Sequence, residues 1–203
     1  MGAGDEIPAS LRQIGYLVDI LKPEDISSDR LHGVDALILG VRTYNTEENL
    51  KFKQNIIFDF VKQGGNVIVQ YNTANGLVTK ELAPYPLTLS RSRVTVEEAE
   101  MRMINPDHSV LNFPNKITQK DFDGWVQERG LYFPGEWDAQ FTAVLSCNDP
   151  GEKPQDGSLL VAKYGDGHYI YTGLSFFRQL PAGVSGAFRL FSNMISIGQN
   201  VQP

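Results

Sequence analysis

Apolar residues come in short runs along this chain, and several stretches between the runs carry apolar positions at helical spacing. Ile7-Pro8-Ala9-Ser10-Leu11 opens a helix, with Asp5 as its N-cap and Pro8 tolerated in the first turn. Tyr16 to Leu21 reads as a short strand, and a polar helical turn follows from Pro23 to Leu31. Asp35-Ala36-Leu37-Ile38-Leu39-Gly40 is a nearly continuous apolar run ended by glycine, the pattern of a strand buried on both faces. Over 46–63, Leu50, Gln54, Ile57, Phe58 and Val61 share one helix face, and Gly64-Gly65 ends that helix. Asn66 to Tyr71 is a further buried strand. Strands and helices alternating over short loops predict right-handed crossovers and a parallel sheet.

The pattern then changes. From Asn72 to about Asp138 the chain is rich in proline, asparagine and aromatic residues, and long periodic stretches are few. Irregular segments of this length are usually functional loops or subunit contacts. Regular patterning returns with a strand at Phe141 to Leu145. A hairpin follows over Ser158 to Tyr164 and His168 to Gly173, around the turn signal Gly165-Asp166-Gly167. A last helix from about Val184 to Ile197 places Phe188, Phe191, Met194 and Ile195 on one face. The whole reads as one α/β domain over residues 1–203, with 72–138 as a loop-rich insertion. Gly2-Ala3-Gly4-Asp5 is a glycine turn of the sort that follows a first strand in α/β proteins, which here would lie ahead of residue 1. The alternative is a native start with a frayed turn.

Composition narrows the function classes. The chain has 203 residues, 41% hydrophobic and 21% charged, an ordinary globular balance. No apolar run approaches the roughly 20 residues that span a bilayer. A net charge of -6 with scattered Lys and Arg argues against nucleic acid or anionic lipid as the main partner. A single cysteine, Cys147, excludes an intrachain disulfide and a thiolate metal cluster. His32, His108 and His168 lack a metal-ligand partner at short spacing, so neither a metal nor another cofactor is expected. Asp121-Phe122-Asp123-Gly124 starts like a calcium loop, but Tyr132 stands where the twelfth-position glutamate belongs.

Open α/β sheets bind ligands beyond the carboxyl ends of their strands. Two strand ends are therefore candidates: Arg42-Thr43-Tyr44-Asn45 and Gln70-Tyr71-Asn72-Thr73. Asn45 and Thr73 serve equally well as turn or cap residues. The densest aromatic and charged cluster is Trp125, Gln127, Glu128, Arg129, Tyr132, Glu136 and Trp137. Aromatic faces edged by amide, carboxylate and guanidinium groups suit sugar recognition. The competing reading buries the tryptophans and pairs Glu128 with Arg91 or Arg93. Those two arginines, in Ser90-Arg91-Ser92-Arg93, are also candidates for an anionic ligand or an ion-pair network.

The strand at Asn66 to Gln70, with the later Tyr169-Ile170-Tyr171-Thr172-Gly173-Leu174-Ser175 and Gly186 to Asn193, resembles the class I glutamine amidotransferase-like fold, including its ThuA-like branch. That resemblance implies a three-layer, flavodoxin-like open parallel sheet, here with a long irregular insertion and a C-terminal β-hairpin plus helix. It also implies a cysteine nucleophile at a sharp elbow, and a histidine and a glutamate after a late strand. This chain departs at both places: the elbow reads Tyr71-Asn72-Thr73, and no His-x-Glu follows the late strand. Cys147 lies after a different strand and has no histidine nearby in sequence. Amidotransferase chemistry is therefore not expected, and no catalytic residue is assigned.

At finer grain the chain is similar to the C-terminal region of large bacterial PIG-L (LmbE-like) deacetylases. The strings that carry this likeness include Arg42-Thr43-Tyr44-Asn45-Thr46, Val69-Gln70-Tyr71-Asn72-Thr73, Pro84-Tyr85-Pro86-Leu87, Asp121 to Gly130 and Leu180 to Val184. The zinc-binding His-Pro-Asp-Asp motif of that family is absent, so deacetylation would belong to another domain of the parent protein. Export signals in the family imply a periplasmic location. The resulting expectation is a non-catalytic accessory domain that binds carbohydrate or packs on the deacetylase domain. One alternative is a ThuA-like carbohydrate enzyme with Arg42, Tyr44, Gln70, Asn72 and Glu128 in one pocket. The other is a structural or homo-oligomerisation module whose 72–138 aromatics pack on another subunit.

Overall fold

A computed structural model describes residues 4–199. The chain begins with α1 (Ile7–Gln13), a 3-10 turn at Pro23–Asp25 and α2 (Ser28–Leu31). Then come β1 (Ala36–Leu39), α3 (Thr43–Thr46), a 3-10 turn at Glu48–Phe52, α4 (Gln54–Lys62) and β2 (Asn66–Val69). The insertion holds β3 (Leu87–Leu89), β4 (Arg93–Val94), β5 (Met101–Met103), β6 (Gly130–Leu131) and β7 (Pro134–Trp137). It also holds 3-10 turns at Ser109–Leu111 and Gln119–Phe122. Last are β8 (Phe141–Cys147), β9 (Gln155–Tyr164), β10 (Gly167–Thr172), α5 (Phe176–Gln179) and α6 (Ser185–Ser196).

Six strands form the main sheet in the order β1-β2-β10-β9-β8-β5. The expected parallel pairing holds for β1, β2 and β10, while β9, β8 and β5 add antiparallel, so the sheet is mixed. Its three layers follow from strand alternation. Leu37, Leu39, Val67, Val69, Tyr169 and Tyr171 pack with α2 and α4, whereas Ile68 and Ile170 pack with α1 and α6. The hairpin turn is Gly165-Asp166, with Gly165 at φ 63; a Cβ there would lie 2.4 Å from the Lys62 carbonyl oxygen.

Two expectations need correction. Tyr16 to Leu21 forms no strand, and Leu17 and Ile20 are exposed. The predicted 46–63 helix is broken by the 3-10 turn before α4. The glycine turn over Gly2 to Asp5 lies partly outside the described residues. Within them, Gly4 has φ 83, and Asp5 accepts from the Ile7 N–H (3.2 Å) and the Val41 N–H (3.0 Å).

Between α4 and the sheet sits a buried phenol cluster. The Tyr44 hydroxyl donates to Gln54 Oε1 (3.1 Å) and lies 3.4 Å from the Tyr169 hydroxyl, which in turn donates to the Leu82 carbonyl. Burial pushes the Tyr44 phenol up to about 12 and raises those of Tyr169 and Tyr171 as well. Unfolded tyrosines ionise near about 10. The unfolded chain therefore binds fewer protons than the folded one above that pH. Stability from these groups is complete below about pH 10 and falls as pH rises towards 12. Urea unfolding at stepped alkaline pH checks this: Tyr44→Phe is expected to show a shallower loss than the wild type, and an identical slope would remove Tyr44 from the account.

Candidate functional site

β1, β2 and β10 run parallel, so their carboxyl ends open on one mouth, and the residues that follow each strand build it. After β1 the chain passes Gly40-Val41 into Arg42, which is exposed and whose N–H donates to the Tyr71 carbonyl (2.9 Å). After β2 comes Tyr71, half-buried, its ring stacked on Tyr132 (centroids 6.2 Å apart, planes 12°) and tilted against Phe177 (5.2 Å). After β10, Gly173 to Ser175 lead into α5, which presents Phe177 and Arg178. Arg178 Nε donates to Glu128 Oε1 (3.0 Å) and its Nη1 to Gln127 Oε1 (2.7 Å), and the guanidinium lies 4.6 Å from the Phe177 ring centre. The result is a shelf of three rings edged by two guanidinium groups, a carboxylate and an amide.

The loop that carries Gln127 and Glu128 is held from below. The fully buried Gln179 side chain accepts from the Val126 N–H (2.8 Å) and returns a bond to the Val126 carbonyl (2.9 Å). Ser175 Oγ donates to the Glu128 carbonyl (2.5 Å), and the Leu131 N–H to the Gly173 carbonyl (2.9 Å). Among the described residues, the non-glycine positions with positive φ are Arg42 (58), Gln127 (70) and Tyr132 (52). All three border this mouth. Left-handed backbone at non-glycine residues costs on the order of 1–3 kcal/mol each and tends to collect at functional sites. The Tyr71 phenol is raised by burial, with Arg42 and Arg178 pulling it back.

Of the residues singled out from sequence, Arg42, Tyr71, Gln127, Glu128 and Tyr132 meet here. The others do not. Tyr44 is in the phenol core. Asn72 is fully buried and accepts from the Tyr44 N–H through Oδ1 (2.8 Å), so it fixes the backbone. Asn45 makes the turn: its Nδ2 reaches the Thr73 and Asn75 carbonyls (3.1 Å each) and its Oδ1 takes the Thr73 N–H (2.9 Å). Gln70 is buried, with Nε2 at 3.4 Å from Asp5 Oδ2. Trp125 is core, packed on Phe122 and Phe176, with Nε1 donating to the Asp121 carbonyl (3.0 Å). Arg129 is also buried and braces the insertion through the Ala99 (2.9 Å) and Phe122 (2.6 Å) carbonyls. Arg91 and Arg93 are exposed, and the partner of Glu128 is Arg178 rather than either of them. Trp137 and Glu136 sit on β7, apart from the shelf. Arg42, Tyr44, Gln70, Asn72 and Glu128 therefore do not line one pocket.

Phe177 and Arg178 are the residues that sequence reasoning missed. Cys147 closes β8 in the core, its Sγ 3.2 Å from the Ser158 hydroxyl, and burial pushes its thiol up to about 11, away from the thiolate a nucleophile needs. Among the described residues, no three His, Cys, Asp or Glu side chains gather as metal ligands would, and no helix is long and apolar enough to cross a membrane.

No family model and no curated protein matches the sequence. Solved structures do match in shape. A cytoplasmic protein from Salmonella typhimurium aligns with a TM-score of 0.60 at 16% identity, covering 93% of this chain and 83% of that one. A candidate GMP synthase component from Thermoplasma acidophilum aligns at 0.57 and 12%, covering 95% and 86%. A cold-adapted β-galactosidase from a Rahnella species aligns at 0.55 and 13%, covering 93% of this chain but 26% of the galactosidase. At these identities the likeness speaks for fold alone. The chain has the class I glutamine amidotransferase-like α/β fold, with Tyr71-Asn72-Thr73 at the turn that follows β2.

Proposed function

We infer that this chain is a non-catalytic accessory domain that binds carbohydrate on the Tyr71–Tyr132–Phe177 shelf, in the context of a PIG-L (LmbE-like) deacetylase. The observation that carries the reading is the shelf itself, at the mouth where this sheet architecture holds ligands, with side chains suited to contact and none suited to attack. Ring faces cover the apolar C–H surface of a sugar, and Arg42, Gln127, Arg178 and Glu128 supply donors and acceptors for hydroxyls. The buried Cys147 supports a binding role over nucleophilic chemistry. The shape match to about a quarter of a β-galactosidase chain also supports it, since a domain of this form there belongs to a larger carbohydrate-acting protein.

Calorimetric titration against a glycan panel, and separately against an expressed deacetylase domain, tests the reading. Binding to a glycan is expected to weaken roughly tenfold or more in Tyr71→Ala, the loss of one well-stacked ring. If neither titrant gives heat, the accessory-domain reading has no footing. The structural-module alternative is less favoured, because Phe122, Trp125 and Phe133 of the insertion are buried within this chain instead of being held out for another copy.

A further inference from the structure

Hydrogen-bonding capacity around the shelf is lopsided. Glu128 Oε1 and Gln127 Oε1 are both taken by Arg178, through its Nε (3.0 Å) and Nη1 (2.7 Å). What stays open at the rim is chiefly donors: Nη2 of Arg178, the Gln127 amide nitrogen and the whole guanidinium of Arg42. Among the described residues, no group accepts a hydrogen bond from the exposed Arg42 side chain or pairs with it as an ion. A guanidinium has five N–H donors and no acceptor, whereas each hydroxyl of a neutral sugar both donates and accepts. Charge points the same way. Arg178 is matched by Glu128, but Arg42 has no carboxylate partner. Burial raises the Tyr71 phenol, and Arg42 opposes this most, ahead of Arg178, with Glu128 acting in the other sense. Two guanidinium groups and one carboxylate thus act on a single ring. Glu97, whose carboxylate accepts from the Gln127 N–H, does not figure among those charges.

Arginine is also an unfavourable choice for position 42. Its φ of 58 lies in the left-handed region, which glycine and asparagine adopt with less strain. The backbone is pinned there: the Arg42 N–H donates to the Tyr71 carbonyl (2.9 Å), and its carbonyl accepts from the N–H groups of Asn45 (2.8 Å) and Thr46 (3.0 Å). The fold calls for a residue that tolerates this conformation. The sequence supplies a long cation whose head makes no bond to the described residues.

We propose that the shelf takes a sugar bearing an anionic substituent, a carboxylate or a sulfate ester, with the Arg42 guanidinium as its charge partner. This rests on the carbohydrate reading above and names the class of sugar. The acidic group only accepts, so it matches the paired N–H donors that Arg42 holds open. The C–H face of the same sugar lies on the Tyr71 and Phe177 rings, and its hydroxyls meet Arg178, Gln127 and Glu128. The net charge of -6 on the whole chain repels long polyanions at range. The fit is therefore to a short oligosaccharide with one acidic residue at the shelf.

Calorimetry on residues 1–203 tests this with a panel of matched oligosaccharides: uronate-containing ones, the same with their carboxyls reduced to neutral hexose, and sulfated and unsulfated neutral ones. A charged member is expected to bind about tenfold more tightly than its neutral counterpart, and the advantage to shrink with added salt. A preference within the uronate pair identifies a carboxylate, and one within the sulfated pair a sulfate; either supports the proposal. Arg42→Asn is expected to remove the preference while melting at or above the wild-type temperature, since asparagine accepts left-handed backbone more readily. Arg42→Lys is expected to restore part of it. Equal affinity for charged and neutral members in the wild type overturns the proposal and leaves the carbohydrate reading standing. A preference that survives in a folded Arg42→Asn overturns the assignment to Arg42. Heat from no member, charged or neutral, removes the carbohydrate reading and this proposal with it.

Discussion

Arg178→Ala is expected to lower stability by about 2–3 kcal/mol and to weaken glycan binding in the same variant. The reason is what it leaves behind. Glu128 has 8% of its side chain exposed, and its carboxylate faces Arg178 at 3.0 Å. Removing the guanidinium strands that carboxylate at a nearly buried position and also frees Gln127, which Arg178 holds at 2.7 Å. An exposed ion pair would be worth far less, so the burial of Glu128 decides the size. Urea unfolding measures the stability, and titration with a glycan bound by the wild type measures the binding. Arg178→Lys keeps a charge but loses the forked geometry, and is expected to recover part of the stability and little of the binding. Wild-type stability in Arg178→Ala would show that the Glu128 pair is solvated and energetically idle.

The second large effect is at Gly186, in the first turn of α6. On helix propensity alone, Gly186→Ala should stabilise by up to about 1 kcal/mol. Packing reverses the sign. A Cβ at this position would stand 2.0 Å from the Asp121 carbonyl oxygen and 2.3 Å from its Cα, both backbone atoms that cannot swing aside. Asp121 is itself fixed: its carboxylate accepts from the Thr118 N–H (2.7 Å) and pairs with Arg189 of α6 (3.2 Å), and its carbonyl takes the Trp125 indole N–H (3.0 Å). The helix must therefore move off the 119–122 turn, at an expected cost of about 3 kcal/mol, or a melting temperature lower by roughly 6–12 °C. A neutral or stabilised Gly186→Ala in a thermal melt would mean that α6 does not seat this closely on the insertion.

The strands at 36–39, 66–69 and 141–147 are legible in the sequence because each is an apolar run closed by a turn residue, and the hairpin because Gly165-Asp166-Gly167 allows few other conformations. Tyr16 to Leu21 misleads for a physical reason: its residues favour a strand, but a strand needs a hydrogen-bonded neighbour, and local pattern does not report one. At the shelf, Arg42 and Tyr71 follow from the rule that ligands sit at strand ends. Phe177 and Arg178 obey the same rule but escape it. From sequence β10 reads as the return limb of a hairpin, which hides its second, parallel pairing with β2 and the fact that its end opens on the same mouth. Trp125 and Arg129 show the opposite error. Composition marks them as a recognition cluster, whereas the depth of an aromatic residue is set by contacts with segments distant in sequence. The left-handed backbone of Gln127 and Tyr132 has no sequence signature, since neither is glycine or asparagine.

Those left-handed residues also bear on the entropy of association. A binding surface made of mobile loops loses conformational freedom when its ligand arrives, at about 0.5–1.5 kcal/mol for each side chain immobilised. Here Arg42, Gln127 and Tyr132 are held in their unusual geometry by strand ends and by the Gln179 and Ser175 hydrogen bonds. The rings add only about two torsions each. A ligand at this mouth meets a surface already ordered, so its affinity reflects contact and desolvation more than the freezing of protein motion.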